Sequence, residues 1–181
     1  MSPELIAHLS KILRYKTFSK GDIILNRGRV CSHIYFLETG LIRIYHWKND
    51  KEVTTWFLKE GDLFISVHSF FQQRPSAEFI VAMEDCACWG ITFEELEETC
   101  KLFPEFNWHE KMIFRTYYSR KEIWDYEMPE KPQERYDLLM RVAPELVQRV
   151  PAKILATYLD MSERAFTRAR NNEYHLKKKK K

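Results

Sequence analysis

The sequence predicts an α+β chain in which an N-terminal antiparallel β jelly roll gives way to helices. Three uneven distributions along its 181 residues predict this. All five glycines (Gly21, Gly28, Gly40, Gly61, Gly90) fall in the first half, whereas Pro104, Pro129, Pro132, Pro144 and Pro151, five of the seven prolines, follow position 100. Glycine permits the positive φ of tight strand-to-strand turns. Proline is tolerated in a helix's first turn, where the N–H it lacks would go unpaired. The third distribution is charge. The net charge is +3, but the stretch from Arg149 onward carries +7 and residues 1–148 carry −4. A basic end on an acidic body is the pattern of a nucleic-acid-binding segment. Five of those charges are the terminal run Lys177–Lys181, read here as a separate solvated tail.

Apolar residues at 45% and aromatics at 14% supply a packed core and exclude disorder for the bulk of the chain. The longest run without a charged residue, Leu63–Gln73, is 11 residues, short of the ~20 that span a bilayer. The opening Met-Ser-Pro-Glu-Leu lacks the basic and apolar regions of a signal peptide. The expectation is a cytoplasmic protein with no membrane partner.

A short N-terminal helix leads into the strand region from Ile12 to Leu25, with Lys20-Gly21-Asp22 as a turn. His33–Glu38 alternates apolar and polar, and Gly40–Trp47 is rich in Ile and Tyr, so both read as strands. Lys48-Asn49-Asp50-Lys51 is a polar hairpin turn returning through Val53–Leu58. Glu78–Met83 and Ala87–Thr92 follow as strands. Thr92-Phe93-Glu94-Glu95 is a capping box opening a helix that ends near Phe103-Pro104. Many short strands with regular turns make a barrel or jelly roll.

From Pro104 to about Met128 there are few breakers, and Phe106, Ile113, Tyr117 and Trp124 fall along one helical stripe. That stripe packs either on its own barrel or on a second copy. Apolar Met112, Phe114, Tyr118 and Ile123 on another face favour a dimer helix. Gln133–Val142 reads as a helix with Tyr136, Leu138, Leu139 and Val142 inward. Val150 to Arg170 reads as two helices with a tight turn at Asp160-Met161-Ser162. Pro151 starts the first and Ser162 caps the second. Ala156 is small where the helices cross, and Leu155, Leu159, Met161 and Phe166 bury between them, which makes a helix-turn-helix. The domain organisation is therefore 1–103 (sensor), 104–128 (connecting helix), 129–176 (helix-turn-helix) and 177–181 (lysine tail).

Phe18-Ser19-Lys20-Gly21-Asp22-Ile23-Ile24, then Gly28, then Tyr35 to Arg43 through Gly40, then Glu60-Gly61-Asp62-Leu63-Phe64 resembles the cyclic-nucleotide-binding domain, with each glycine where that jelly roll turns. This domain opens the bacterial regulators of the cyclic-AMP receptor and fumarate–nitrate regulator (Crp/Fnr) superfamily, whose C-terminal module residues 130–172 also resemble. The resemblance implies a dimeric transcription regulator with double-stranded DNA, a second copy of the chain and RNA polymerase as partners. The alternative is a sensory or protein-interaction module that no longer binds DNA.

In nucleotide-binding members of that superfamily a glycine lets a helix N-terminus approach the phosphate, Glu accepts from the ribose and Arg pairs with the cyclic phosphate. At the matching positions this chain has Ser66, Val67 and Pro75, and only the hydroxyl position survives, as Ser76. Losing both charged contacts removes roughly 1.5–3 kcal/mol each, which argues against a cyclic nucleotide, and no cofactor is predicted. Two readings of the pocket remain. Phe64, Ser66, His68, Ser69, Phe70 and Ser76 line a less charged cavity for another small ligand, or Phe64, Phe70 and Phe71 fill the barrel.

Cys31, Cys86, Cys88 and Cys100 form no C-x-x-C pair, and none stands at zinc-finger spacing from a histidine. Cys86 and Cys88 face the same side of one strand and read as buried thiols. The six histidines form neither H-x-H nor H-x-x-x-H, and no nucleophile or phosphate-loop motif occurs. No metal ligand and no catalytic residue is predicted, and a binding protein rather than an enzyme is expected.

The resemblance places the DNA-reading residues at Ser162, Glu163, Arg164, Thr167, Arg168 and Arg170, with Lys153 alongside. The fumarate–nitrate branch carries Glu-x-x-Ser-Arg where this chain has Arg164-Ala165-Phe166-Thr167-Arg168. An acidic reader accepts from cytosine, whereas Arg pairs with guanine, so an altered operator is expected. Family members follow this helix with a β-hairpin wing, and here Asn171–Leu176 and five lysines take its place. If the lysines anchor phosphates, deleting Lys177–Lys181 flattens the loss of DNA affinity with salt, as a salt titration by fluorescence anisotropy measures. An unchanged slope refutes the idea.

Overall fold

The turn at Gly40 shows how closely strands approach one another in the N-terminal half. Its φ is 105°, and a Cβ there would lie 2.6 Å from the Cys86 sulfur and 2.7 Å from the Asp85 carbonyl oxygen. Gly90 is fixed by packing instead, since a Cβ would run into the ring of Tyr35, its partner across the sheet. The computed structural model describes residues 1–179, without the side chains of 109, 110, 112–114, 116, 120, 123 and 173–179. Ile113, Met112, Phe114 and Ile123, and the side chains of Lys177–Lys181, therefore lie outside the described residues.

The elements in order are α1 (Pro3–Ile12), β1 (Arg14–Phe18), β2 (Ile23–Leu25), β3 (His33–Thr39), β4 (Leu41–Lys48), β5 (Lys51–Lys59), β6 (Leu63–Phe64), α2 (Val67–Gln72), β7 (Glu78–Ala82), β8 (Cys86–Thr92), α3 (Phe93–Leu102), α4 (Pro104–Glu127), α5 (Pro132–Val142), α6 (Leu146–Arg149), α7 (Ala152–Tyr158) and α8 (Glu163–Lys179). Two four-stranded sheets form, ordered β1-β8-β3-β6 and β2-β7-β4-β5. The expected strands are present. The short β6 and α2, of two and six residues, are too brief to show a period in the sequence. The β4–β5 turn has positive φ at both Asn49 and Asp50, the signature of a type I′ hairpin matched to strand twist.

The chain divides into two compact units, residues 1–46 with 56–120 and residues 47–55 with 121–181. In the first, Leu37, Ile42, Phe64, Phe70, Ile80, Cys86 and Cys88 fill the space between the sheets. Burial pushes the Cys88 thiol up to about 11 and the Tyr35 phenol up to about 12, so both stay neutral in the core. The stripe on α4 turns toward its own unit. Phe106 and Tyr117 pack against the core, and the Tyr117 hydroxyl accepts from Leu63 N at 2.6 Å while donating to Leu63 O at 2.8 Å.

In the second unit Tyr136, Leu138, Leu139, Leu146, Leu155, Leu159, Phe166 and Ala169 are buried. Val142, expected inward, is exposed, because it ends α5 at the helix's last residue. Trp124 stacks on Tyr158 with centroids 4.7 Å apart, so three members of the expected dimer stripe are engaged within the chain.

The Thr92 capping box forms as expected. Thr92 Oγ1 accepts from Glu95 N at 3.2 Å, and Glu95 Oε2 accepts from Thr92 N at 2.9 Å. Glu95 also pairs with Arg14, at 2.7 Å from Nη1. The guanidinium, aided by the Thr92 bonds, holds the Glu95 carboxyl down at about 2. A depressed carboxyl stabilises the fold above its unfolded pKa of ~4.3 and loses that contribution as pH falls toward 2. Glu95→Gln is therefore expected to lower stability at pH 7 and to converge with the parent near pH 2. Thr92→Ala is expected to cost about 1 kcal/mol. Urea unfolding across that pH range checks both.

Candidate nucleic-acid interface

The seven-residue α7 ends in a sharp reversal. Met161 N donates to Ala156 O at 3.0 Å, and Asp160 between them has φ 47°. This six-to-one bond with a left-handed residue is the Schellman ending, normally glycine's. Asp accepts the conformation better than most side chains do. The chain then restarts at Ser162, whose Oγ accepts from Ala165 N at 3.2 Å and so caps α8. Glu163 stands in the first turn, where a negative charge complements the helix dipole.

Burial orients α8. Phe166 (0% exposed) and Ala169 (3%) face inward, and Phe166 meets Tyr136 edge-on at 5.4 Å. At 100° per residue, the side opposite them carries Arg164, Thr167, Arg168 and Asn171. Arg164, Arg168 and Asn171 are exposed and Thr167 is half-buried. Arg170 is exposed on the flank, as is Lys153 on α7. The structure thus brings Arg164, Thr167 and Arg168 onto one solvent face and sets Arg170 and Lys153 beside it, with Ser162 and Glu163 at its head. Sequence reasoning missed Asn171, though its spacing of four from Thr167 and seven from Arg164 was the signal. An Asn amide pairs bidentately with adenine.

Two further contacts hold α8. Gln133 Nε2 donates to Ala169 O at 3.4 Å, and Asn172 Nδ2 donates to Gln133 Oε1 at 3.1 Å.

The barrel residues behave differently. Ser66 Oγ lies 3.0 Å from Ser76 Oγ and donates to Glu78 Oε2 at 2.8 Å. Ser69 Oγ accepts from Cys31 N at 2.9 Å and donates to Arg74 O at 2.5 Å. Phe64 and Phe70 are fully buried in the core, and His68 is exposed. Of the six expected pocket residues only Phe64 lines the nearby cavity, which Cys31, His33 and Tyr35 share. That cavity measures about 210 Å³, below the roughly 300–1,000 Å³ of ligand clefts. Burial lowers the His33 imidazole and raises the Cys31 thiol, keeping both uncharged there. Among the described residues no group of three or more His, Cys, Asp or Glu is placed to hold a metal. No helix of the described residues is long and apolar enough to cross a membrane.

Residues 15–102 match the family model described as the cyclic nucleotide-binding domain. The HTH-type transcriptional regulator ArcR of Staphylococcus aureus is 31% identical over 84 residues, covering 46% of this chain and 36% of ArcR. A cGMP-dependent protein kinase of Toxoplasma gondii is 24% identical over 106 residues, covering 59% of this chain and 10% of the kinase. Among solved structures, FixK2 from Bradyrhizobium japonicum superposes with a TM-score of 0.78 at 15% identity over 91% of this chain and 86% of its own. A Crp/Fnr-family regulator from Eubacterium rectale gives 0.74 at 18% identity over 93% and 82%.

Residues 15–102 thus resemble a cyclic nucleotide-binding domain, and the chain shares the fold of FixK2 and of the Eubacterium rectale regulator. The chain spans about a third of ArcR and a tenth of the kinase. Within residues 15–102, the stretch from Ser66 to Glu78 holds a Ser66–Ser76–Glu78 chain of hydrogen bonds. A carboxylate there opposes a cyclic phosphate, and Val67 and Pro75 supply no charged contact. Calorimetric titration with cyclic AMP and cyclic GMP is expected to show affinity weaker by roughly 10²–10⁴ than a domain with both charged contacts. Saturation at micromolar nucleotide overturns that expectation.

Proposed function

We propose that this chain is a DNA-binding transcription regulator, a cytoplasmic homodimer whose α7 and α8 act as a helix-turn-helix on a palindromic site. The observation that carries this reading is the single solvent face of α8. Arg164, Thr167, Arg168 and Asn171 stand opposite the buried Phe166 and Ala169, as a major-groove helix requires. Among the described residues no ion pair engages Arg164, Arg168 or Arg170, which leaves their donors for an acidic partner. The Crp/Fnr-type fold and the relatedness to ArcR support the same reading. A protein-interaction module without DNA contact leaves that face unexplained.

The surface for a second copy is the outward side of α4. With Phe106 and Tyr117 turned inward, the opposite row of that helix presents Trp108, Lys111, Arg115, Tyr118, Glu122 and Tyr126, all exposed. A dimer reading a palindrome requires its two α8 helices on half-sites about 34 Å apart. An effector, if the barrel senses one, is not a cyclic nucleotide, and RNA polymerase is the downstream partner of an activating regulator.

Selection from random DNA should return a palindrome with guanine at the Arg164 contact. Arg164→Ala should relax that position by about 1–3 kcal/mol. Lys153→Ala should weaken all sequences alike and lower the salt slope by about one. Failure to enrich any sequence, with affinity no better than the roughly 10⁻⁴–10⁻⁶ M of non-specific binding, refutes the reading.

A further inference from the structure

We propose that Arg135, on α5 and away from the outward face of α8, is the positioning residue of the DNA-reading site; this rests on the function proposed above. Its guanidinium gathers backbone carbonyls from two distant stretches of the second unit. Nε donates to Pro129 O at 2.6 Å, just before α5, and Nη1 donates to Leu159 O at 2.9 Å and Asp160 O at 2.5 Å, in the α7–α8 turn. The same Nη1 lies 3.6 Å from the Asp160 carboxylate, and only 17% of the Arg135 side chain is exposed.

The chemistry of that turn explains why a guanidinium sits there. The last carbonyls of a helix lack intrahelical partners and mark the negative end of its dipole. In α7 the reversal begins at Leu159, and left-handed Asp160 turns its own carbonyl out of the helical path. Two carbonyl oxygens and a carboxylate therefore collect at one point. Arginine answers them with several N–H donors in a fixed plane, whereas a lysine ammonium is a point charge on a flexible stem. Arg135 thereby ties the start of α5 to the turn that launches α8.

The apolar contact of Tyr136 with Phe166 is one residue further along α5 and does not depend on the guanidinium. Loss of Arg135 therefore leaves α8 packed but frees the turn at its head, where Ser162, Glu163 and Arg164 stand. Base contacts demand placement to a fraction of an ångström, while phosphate contacts tolerate movement. The inference is that Arg135 governs discrimination between sequences rather than overall grip on DNA.

The test compares the parent protein with Arg135→Lys and Arg135→Met, measuring affinity for the selected operator and for unrelated duplex DNA across a salt series, with circular dichroism to confirm helix content. Expected is a drop of about tenfold in the operator-to-unrelated ratio for both variants, with affinity for unrelated DNA within about twofold and the salt slope unchanged, since no phosphate contact is removed. If Arg135→Lys discriminates as well as the parent, the positioning role is overturned. If both affinities fall together with a shallower slope, Arg135 contacts phosphate directly and the inference is equally wrong. A parent protein that shows no preference among DNA sequences overturns the functional reading, and this inference with it.

Discussion

The edge-on contact between Phe166 and Tyr136 is the constraint on which the C-terminal unit depends. Burying an aromatic side chain of that size stabilises by roughly 1.5–3 kcal/mol, more than any surface interaction nearby offers. Once Phe166 is inside, the helical period leaves no choice about what faces out. Arg164, Thr167, Arg168 and Asn171 must point to solvent together. The candidate DNA-reading face is thus a consequence of an apolar contact on the other side of the same helix. Rotation of α8 is set by Phe166 and Ala169, its head by the cap at Ser162, and its flank by Gln133.

The barrel follows the opposite logic. A barrel that binds a cyclic nucleotide needs charged groups in its interior for the phosphate and the ribose. Here the buried hydroxyls of Ser66, Ser69 and Ser76 are satisfied by Glu78, Arg74 and Cys31. Buried polar groups that find partners inside the protein no longer need one from outside. The aromatic rings of Phe64 and Phe70 lie fully buried in the core, and the cavity beside Cys31 and His33 is small, about 210 Å³.

Legibility differed by element. Gly40–Trp47 was legible from its Ile and Tyr between Gly40 and the Asn49-Asp50 turn, and the capping box at Thr92 was written in four consecutive residues. The α7–α8 pair was readable because Pro151, Ala156, Ser162 and Phe166 each have a local reason for their place. The stripe of Phe106, Tyr117 and Trp124 was legible as a stripe, but not its destination. An apolar helical face looks the same whether it meets its own barrel, as Phe106 and Tyr117 do, a neighbouring helix, as Trp124 does, or a second copy. Val142 was misread for a related reason, since being at the helix's end decides its exposure.

By itself the sequence determined the order of the longer elements, the tight turn at Asp160-Met161-Ser162, and the absence of the charged nucleotide contacts. These are local properties, fixed by backbone sterics, capping chemistry and the identity of single residues. Only the tertiary structure decided which side of α4 is outward, that Asn171 joins the arginines of α8, and that Arg135 grips a turn 24 residues away in sequence. Those depend on which surfaces meet, and long-range contacts such as Arg135 with Leu159 leave no periodic trace in a single chain of letters.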